Sequence, residues 1–200
     1  MNILFLSKRS GVFLKCSALL FSLIFICGVR PIEAQTRDKR VEDIRRIYQE
    51  TNEQISAAEK NFAESTIFLS ELVVNKGGTM YPAVGNFRNT IKFYYAYGNR
   101  EENPYPNRLL KITVSTNRAA QHEWSEYLFD QAGRLIFYYE KMGEELETES
   151  RFYFASGKTI RIQRGQRIMD INSRQELAAP KAVQAQARKL VVIFQHSLET

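Results

Sequence analysis

The spacing of apolar residues changes period twice along this chain, and that constrains the fold more than any single motif. From Asp38 to Phe62 the sequence DKRVEDIRRIYQETNEQISAAEKNF sets Val41, Ile44, Ile47, Tyr48, Thr51, Ile55, Ala58 and Phe62 three and four residues apart. That spacing draws one apolar stripe along a helix, and neither glycine nor proline interrupts it. The expectation is a helix over residues 38–62 with Asp38 as its N-cap. From Thr66 the period falls to two. Ile67, Leu69, Leu72 and Val74 suggest a strand ending at Gly77 and Gly78, and NTIKFYYAYG alternates Ile91, Phe93, Tyr95 and Tyr97 with Thr90, Lys92, Tyr94 and Ala96. NREENPYPN, Asn99 to Asn107, reads as a loop. Strands follow in LLKITVST, from Glu123 to Phe129 and in RLIFYYEK, and GEELE turns the chain again.

A repetition supports the strand reading. EWSEYLFDQAGRLIFYY and ESRFYFASGKTIRI align with Phe129 on Phe154 and Gly133 on Gly157, which brings Arg134 onto Lys158 and Ile136 onto Ile160. Two related β-hairpins explain this, with glycine supplying the positive φ of a tight reversal. After Asn172 the helical period returns in Val183, Ala187, Leu190, Val191, Phe194 and Leu198, and Pro180 suits the first turn of a closing helix over 180–198. The expected fold is a single α+β domain: helix, an antiparallel meander of about seven strands, helix, with both helices packed on one face of the sheet.

The first residues bear on compartment. Lys8, Arg9 and Lys15 precede SALLFSLIFICGV, Ser17 to Val29, an uncharged run followed by Pro31 and Ala34. This is the layout of a secretory signal peptide over residues 1–34, cut after Ala34 or, second, near Gly28, leaving 35–200 as the domain. Lys15 breaks the apolar stretch, which falls short of the roughly 20 residues of a membrane helix, so no stable span is expected after cleavage. Ile26 before Cys27 argues against lipidation. Both cysteines, Cys16 and Cys27, lie in the leader, so disulfides and thiolate chemistry are not expected in the processed protein. The leader also carries four basic residues against Glu33, which lowers the formal charge from +6 to +3. Mixed signs along the rest read as a solvated surface.

IYQETNEQI, EWSEYLFDQAGRLIFYYEK and ESRFYFASGKTIRI together resemble a loosely defined group of exported bacterial proteins of unknown function with aromatic β-hairpins. The resemblance implies bacterial export, to the periplasm or beyond the cell, and the helix–sheet–helix order. It carries over no catalytic residue.

Chemical motifs are sparse. His122, Glu123 and Glu126 join histidine to carboxylates, but alternation points Glu123 and Glu126 to opposite faces, so no metal site and no acid–base pair is expected there. There is no GxSxG elbow, GxGxxG or P-loop signature, and no cofactor is implied. Aromatic residues on successive strands are the sharper feature. Tyr95, Trp124, Tyr127, Tyr139 and Tyr153, with Arg161 beside them, form a candidate surface for stacking on sugar rings or clasping an extended peptide, against the competing role of core packing. The sequence therefore points to a non-catalytic binding or structural protein of the cell envelope, whose partner is an envelope polymer or peptide rather than nucleic acid. Alternatives are a hydrolase with a site assembled from distant residues and a module that forms homo-oligomers through a sheet edge or its first helix.

Overall fold

The computed structural model describes residues 30–82, 85–118, 121–143 and 148–199. The expected leader lies outside them except for residues 30–34, as does most of the expected GEELE turn. The chain divides into two units, 1–39 and 40–200. In the first, residues 30–39 are helical; the sheet belongs to the second.

Helix α1 is Arg30–Lys60. It begins ahead of the expected Asp38, which lies inside the helix and is not its N-terminal residue. IEAQTR contains no helix breaker, and Pro31 falls in the first turn, where its missing N–H is tolerated. Strands follow as β1 (Ile67–Val74), β2 (Met80–Tyr81), β3 (Gly85–Tyr97), β4 (Pro106–Arg118), β5 (Gln121–Phe129), β6 (Leu135–Met142), β7 (Thr148–Ala155), β8 (Lys158–Arg164) and β9 (Arg167–Ile168), and helix α2 (Ala178–Ser197) closes the chain. The seven longer strands match the expected number; β2 and β9, of two residues each, add to it. All pair antiparallel in the order β1-β3-β4-β5-β6-β7-β8-β9, with β2 beside β3. The α+β class, the meander and both flanking helices stand as expected.

The helices do not share one face. Ile112, Tyr127, Tyr138 and Phe152 oppose one another across β4 to β7 and pack with Leu190 and Phe194 of α2. Their neighbours Lys111, Leu128, Phe137 and Tyr153 point the other way, where Leu128, Phe137 and Tyr153 pack with Val41 and Ile44 of α1. The physical reason is in the strands. Tyr127–Leu128, Phe137–Tyr138 and Phe152–Tyr153 are adjacent buried pairs. A strand with neighbouring residues buried has two faces to cover, and each face takes its own helix.

Helix α1 crosses the strands nearly at right angles. Arg45 reaches Tyr153 on β7, Tyr48 reaches Glu126 on β5, Lys111 on β4 reaches back to Asn52, and Tyr94 on β3 reaches Glu59. Residues 45 to 59 cover about 21 Å of helix at 1.5 Å each, and four strand spacings cover about 19 Å.

The repeated sequence is a repeated bulge. Leu128 opposes Phe137 but Phe129 opposes Leu135, so Ile136 is extra; Tyr153 opposes Arg161 but Phe154 opposes Thr159, so Ile160 is extra. A third instance precedes them: Tyr94 opposes Lys111 and Tyr95 opposes Leu109, leaving Leu110 over. Each extra residue joins the clusters on the α1 face, whereas strict alternation would send it to the other face.

Candidate binding site

The expected aromatic set divides between the two faces. Tyr95 and Tyr127 lie toward α2: Tyr127 is a core residue, and the Tyr95 ring meets Phe194 at 5.1 Å. Trp124, Tyr139, Tyr153 and Arg161 lie toward α1, where Tyr153 is only 2% exposed. The hydroxyl of Tyr139 donates to Glu149 at 3.0 Å, and Arg45 Nε donates to the hydroxyl of Tyr153 at 3.3 Å. One wet aromatic surface built from all six is therefore not what the fold makes. Adjacent burial took Tyr127 and Tyr153 into the two cores.

Trp124 belongs to a polar seam beneath α1. Glu126 Oε1 accepts from the Trp124 indole at 3.0 Å, while Oε2 accepts from the Tyr48 hydroxyl at 2.6 Å and lies 2.9 Å from Lys111 Nζ. Lys111 also donates to Asn52 Oδ1 at 2.7 Å. Both charged groups are buried, and burial pushes Lys111 below the ordinary lysine value while Glu126 opposes that shift. Burial likewise raises the Tyr48 hydroxyl, with Glu126 adding to it. Each charge meets its partners inside the seam, so this arrangement fixes α1 on the sheet instead of presenting chemistry. His122 contacts Asn117, and His196 lies 3.1 Å from Glu199, so the two histidines do not converge. Among the described residues no group of three metal-ligating side chains forms.

Open space lies elsewhere, beside α2. A cavity of about 680 Å³ is bounded by the 98–107 connection, the β5–β6 turn and the C-terminal part of α2, and a second of about 470 Å³ continues toward the β7–β8 turn. Gly133 and Val191 line both, so the two form one trough. Their sizes fall in the range of roughly 300–1,000 Å³ common to ligand sites.

The walls follow from local sequence. Asn99 Oδ1 accepts from the Glu101 N–H at 3.1 Å and Asn103 Oδ1 from the Tyr105 N–H at 2.9 Å, two side-chain turns that fold NREENPYPN back on itself. A Cβ on Gly98 would stand 2.9 Å from Asn107 Oδ1, so glycine leaves room for that amide. At the next turn Asp130 accepts from the N–H groups of Ala132 and Arg134 and binds the Arg134 guanidinium at 2.8 Å. Gln184 of α2 donates to the Gly157 carbonyl at 2.9 Å and ties the helix to the third turn.

The first cavity is amide-rich. Asn107, Gln131 and Gln195 line it, and none is among the side chains hydrogen-bonded within the described protein. Arg108 lines it too, and its Nε is buried without a partner among the described residues. Glu102 is the one carboxylate on this wall. The second cavity is more apolar, lined by Phe129, Leu135, Ala187, Val191 and Val192 together with Arg134, Gln184 and Arg188. A smaller cavity of about 300 Å³ on the α1 side holds Tyr153 with Arg45 and Arg151, but there Arg45 is engaged by Tyr153 and Arg151 by Glu149. Sequence reasoning missed the trough because it weighed aromatics on strands. The available signal was the run of amides in NREENPYPN and QAG, beside the last turn of α2, which carries Gln195.

Among the described residues no helix is long and apolar enough to cross a membrane. Comparison with family models, with curated proteins and with solved structures returns no match.

Proposed function

We propose that the protein is an exported, non-catalytic binding domain of the bacterial cell envelope, and that it holds an extended peptide in the trough beside α2. The carrying observation is the set of unengaged side-chain amides, Asn107, Gln131 and Gln195, on one wall. Each amide both donates and accepts, which is the complement of a peptide group. The adjoining apolar cavity at Val191 takes a side chain of the same peptide. A sugar would favour an open aromatic ring, but the Tyr97 ring at this site is covered by Arg100, 3.8 Å from its centre. A single carboxylate on the amide wall gives holding rather than hydrolysis, since glycosidic cleavage uses a facing pair. Export rests on the basic and apolar leader.

Titration of the isotope-labelled protein with a leucine-containing synthetic peptide, and separately with an envelope-derived oligosaccharide, tests this reading by nuclear magnetic resonance. Peptide-dependent shifts at Gln131, Val191 and Gln195 are expected, and Val191→Asp weakens the peptide at least about tenfold, or ~1.4 kcal/mol. Shifts confined to other surfaces, or produced by the oligosaccharide alone, sink it.

A further inference from the structure

The two edges of the sheet are built differently. The β9 edge is two residues long, carries Arg167, and lies beside β8 with Lys158, Arg161 and Arg164. Short length and cationic side chains are the usual guards against strand addition. The β1 edge has neither. IFLSELVV runs eight residues with one charge, Glu71, and no proline, and among the described strands only β3 pairs with it. Leu72 and Val74 are 39% and 37% exposed there. They share the α2-side face with Phe68, which stacks on Tyr95 at 5.6 Å.

We propose that this edge is an interface for a second copy of the chain, pairing β1 with β1 antiparallel about a twofold axis normal to the sheet. The register follows from charge and from alternation. Such an axis keeps each face on its own side, so opposed residues must share a face. Centring on Glu71 would set two carboxylates directly opposite, which is destabilising. Centring on Ser70 sets the two serines opposite each other, places each Leu72 against the second copy's Phe68 and each Val74 against Thr66, and puts Glu71 opposite Leu69. Glu71 keeps Lys92 as its cross-strand neighbour on β3. The apolar residues now exposed on β1 are thereby covered, and the outward N–H and C=O groups of the edge are paired.

The test is the mass of the purified full chain by sedimentation across a dilution series, with three variants. The wild type is expected to dimerise reversibly. Leu72→Lys, at an exposed position, is expected to weaken dimerisation at least about tenfold with unchanged circular dichroism, because it adds the charge that natural edges carry. Met80→Lys, at a 74% exposed site on β2, is expected to leave it unchanged. Ser70→Cys, with Cys16 and Cys27 replaced by serine, is expected to cross-link spontaneously, since opposed Cα atoms in such a pair lie about 4.5–5.5 Å apart, within disulfide reach. A monomer at every concentration overturns the proposal. So does a dimer indifferent to Leu72→Lys, or growth beyond a dimer, which would indicate head-to-tail pairing of β1 with the basic edge. None of these results depends on whether the trough binds peptide.

Discussion

Glu126 is the residue around which α1 is seated. It accepts from Trp124 and Tyr48 and pairs with Lys111, all in a buried setting, so removing one charge strands the other. Lys111→Met is expected to cost about 3–5 kcal/mol in urea unfolding, the range for a buried charge left uncompensated. Lys111→Met with Glu126→Gln keeps an acceptor for the Trp124 indole, lets the new amide N–H donate to the Tyr48 oxygen, and removes both charges. It should cost less than the sum of the single changes, a coupling readable from a double-mutant cycle. Strict additivity would mean that the pair does not act as a unit. Little of this was legible in the sequence. Alternation places Glu126 on a face of β5, but its partners Tyr48 and Lys111 come from other elements, and no local spacing announces them.

At the level of elements, the parts with a long period were readable and the short ones were not. The seven longer strands and both helices follow from apolar spacing, whereas β2 and β9 are too brief to have a period. The sharing of one face by the helices was misjudged because runs such as FYY and RFYF were read as one-sided alternation, although their adjacent residues are both buried. The hairpin repeat was visible in the text of the sequence, but its bulges were not, since a single extra residue shows only once pairing is known. Glycines separate two uses of that residue. Gly157 has φ +75° and open space around it, so Gly157→Ala should cost about 1–2 kcal/mol from backbone conformation alone, measured by thermal unfolding. Gly98 has no such positive φ but abuts the Asn107 amide. Gly98→Ala should therefore reduce peptide affinity in the trough more than it reduces stability. An equal affinity in that variant would argue that the Asn107 wall is not used.

Across the whole molecule, stability is expected to fail on the alkaline side. Burial raises the hydroxyls of Tyr48, Tyr94 and Tyr138 above the ordinary value of 10.0. Their folded forms hold the proton more tightly than the unfolded chain, so this stabilisation is complete below pH 10 and is lost as pH rises through the folded values. Lys111 acts in the opposite direction: its folded value lies below 10.5, so stability rises with pH across that gap. With Tyr127 and Tyr139, also raised by burial, five raised tyrosines stand against one lowered lysine and give a net loss above pH 10, and Tyr138→Phe should flatten the slope of unfolding free energy against pH there. A slope unchanged in that variant would remove Tyr138 from the account.

The path of α1 across the strands sets an order in time. Its contacts span 35 residues of chain from Glu59 to Tyr94 but 108 from Arg45 to Tyr153. Closing the longer loop costs about 1 kcal/mol more than the shorter one. The hairpins can form locally as the chain emerges, but the helix made first is not fully seated until β7 has emerged, fastening from its C-terminal end backward as each later strand arrives. A chain of this design cannot seat its first helix fully until its seventh strand is through, a delay that would suit the export proposed above, in which the chain is threaded across a membrane before it folds.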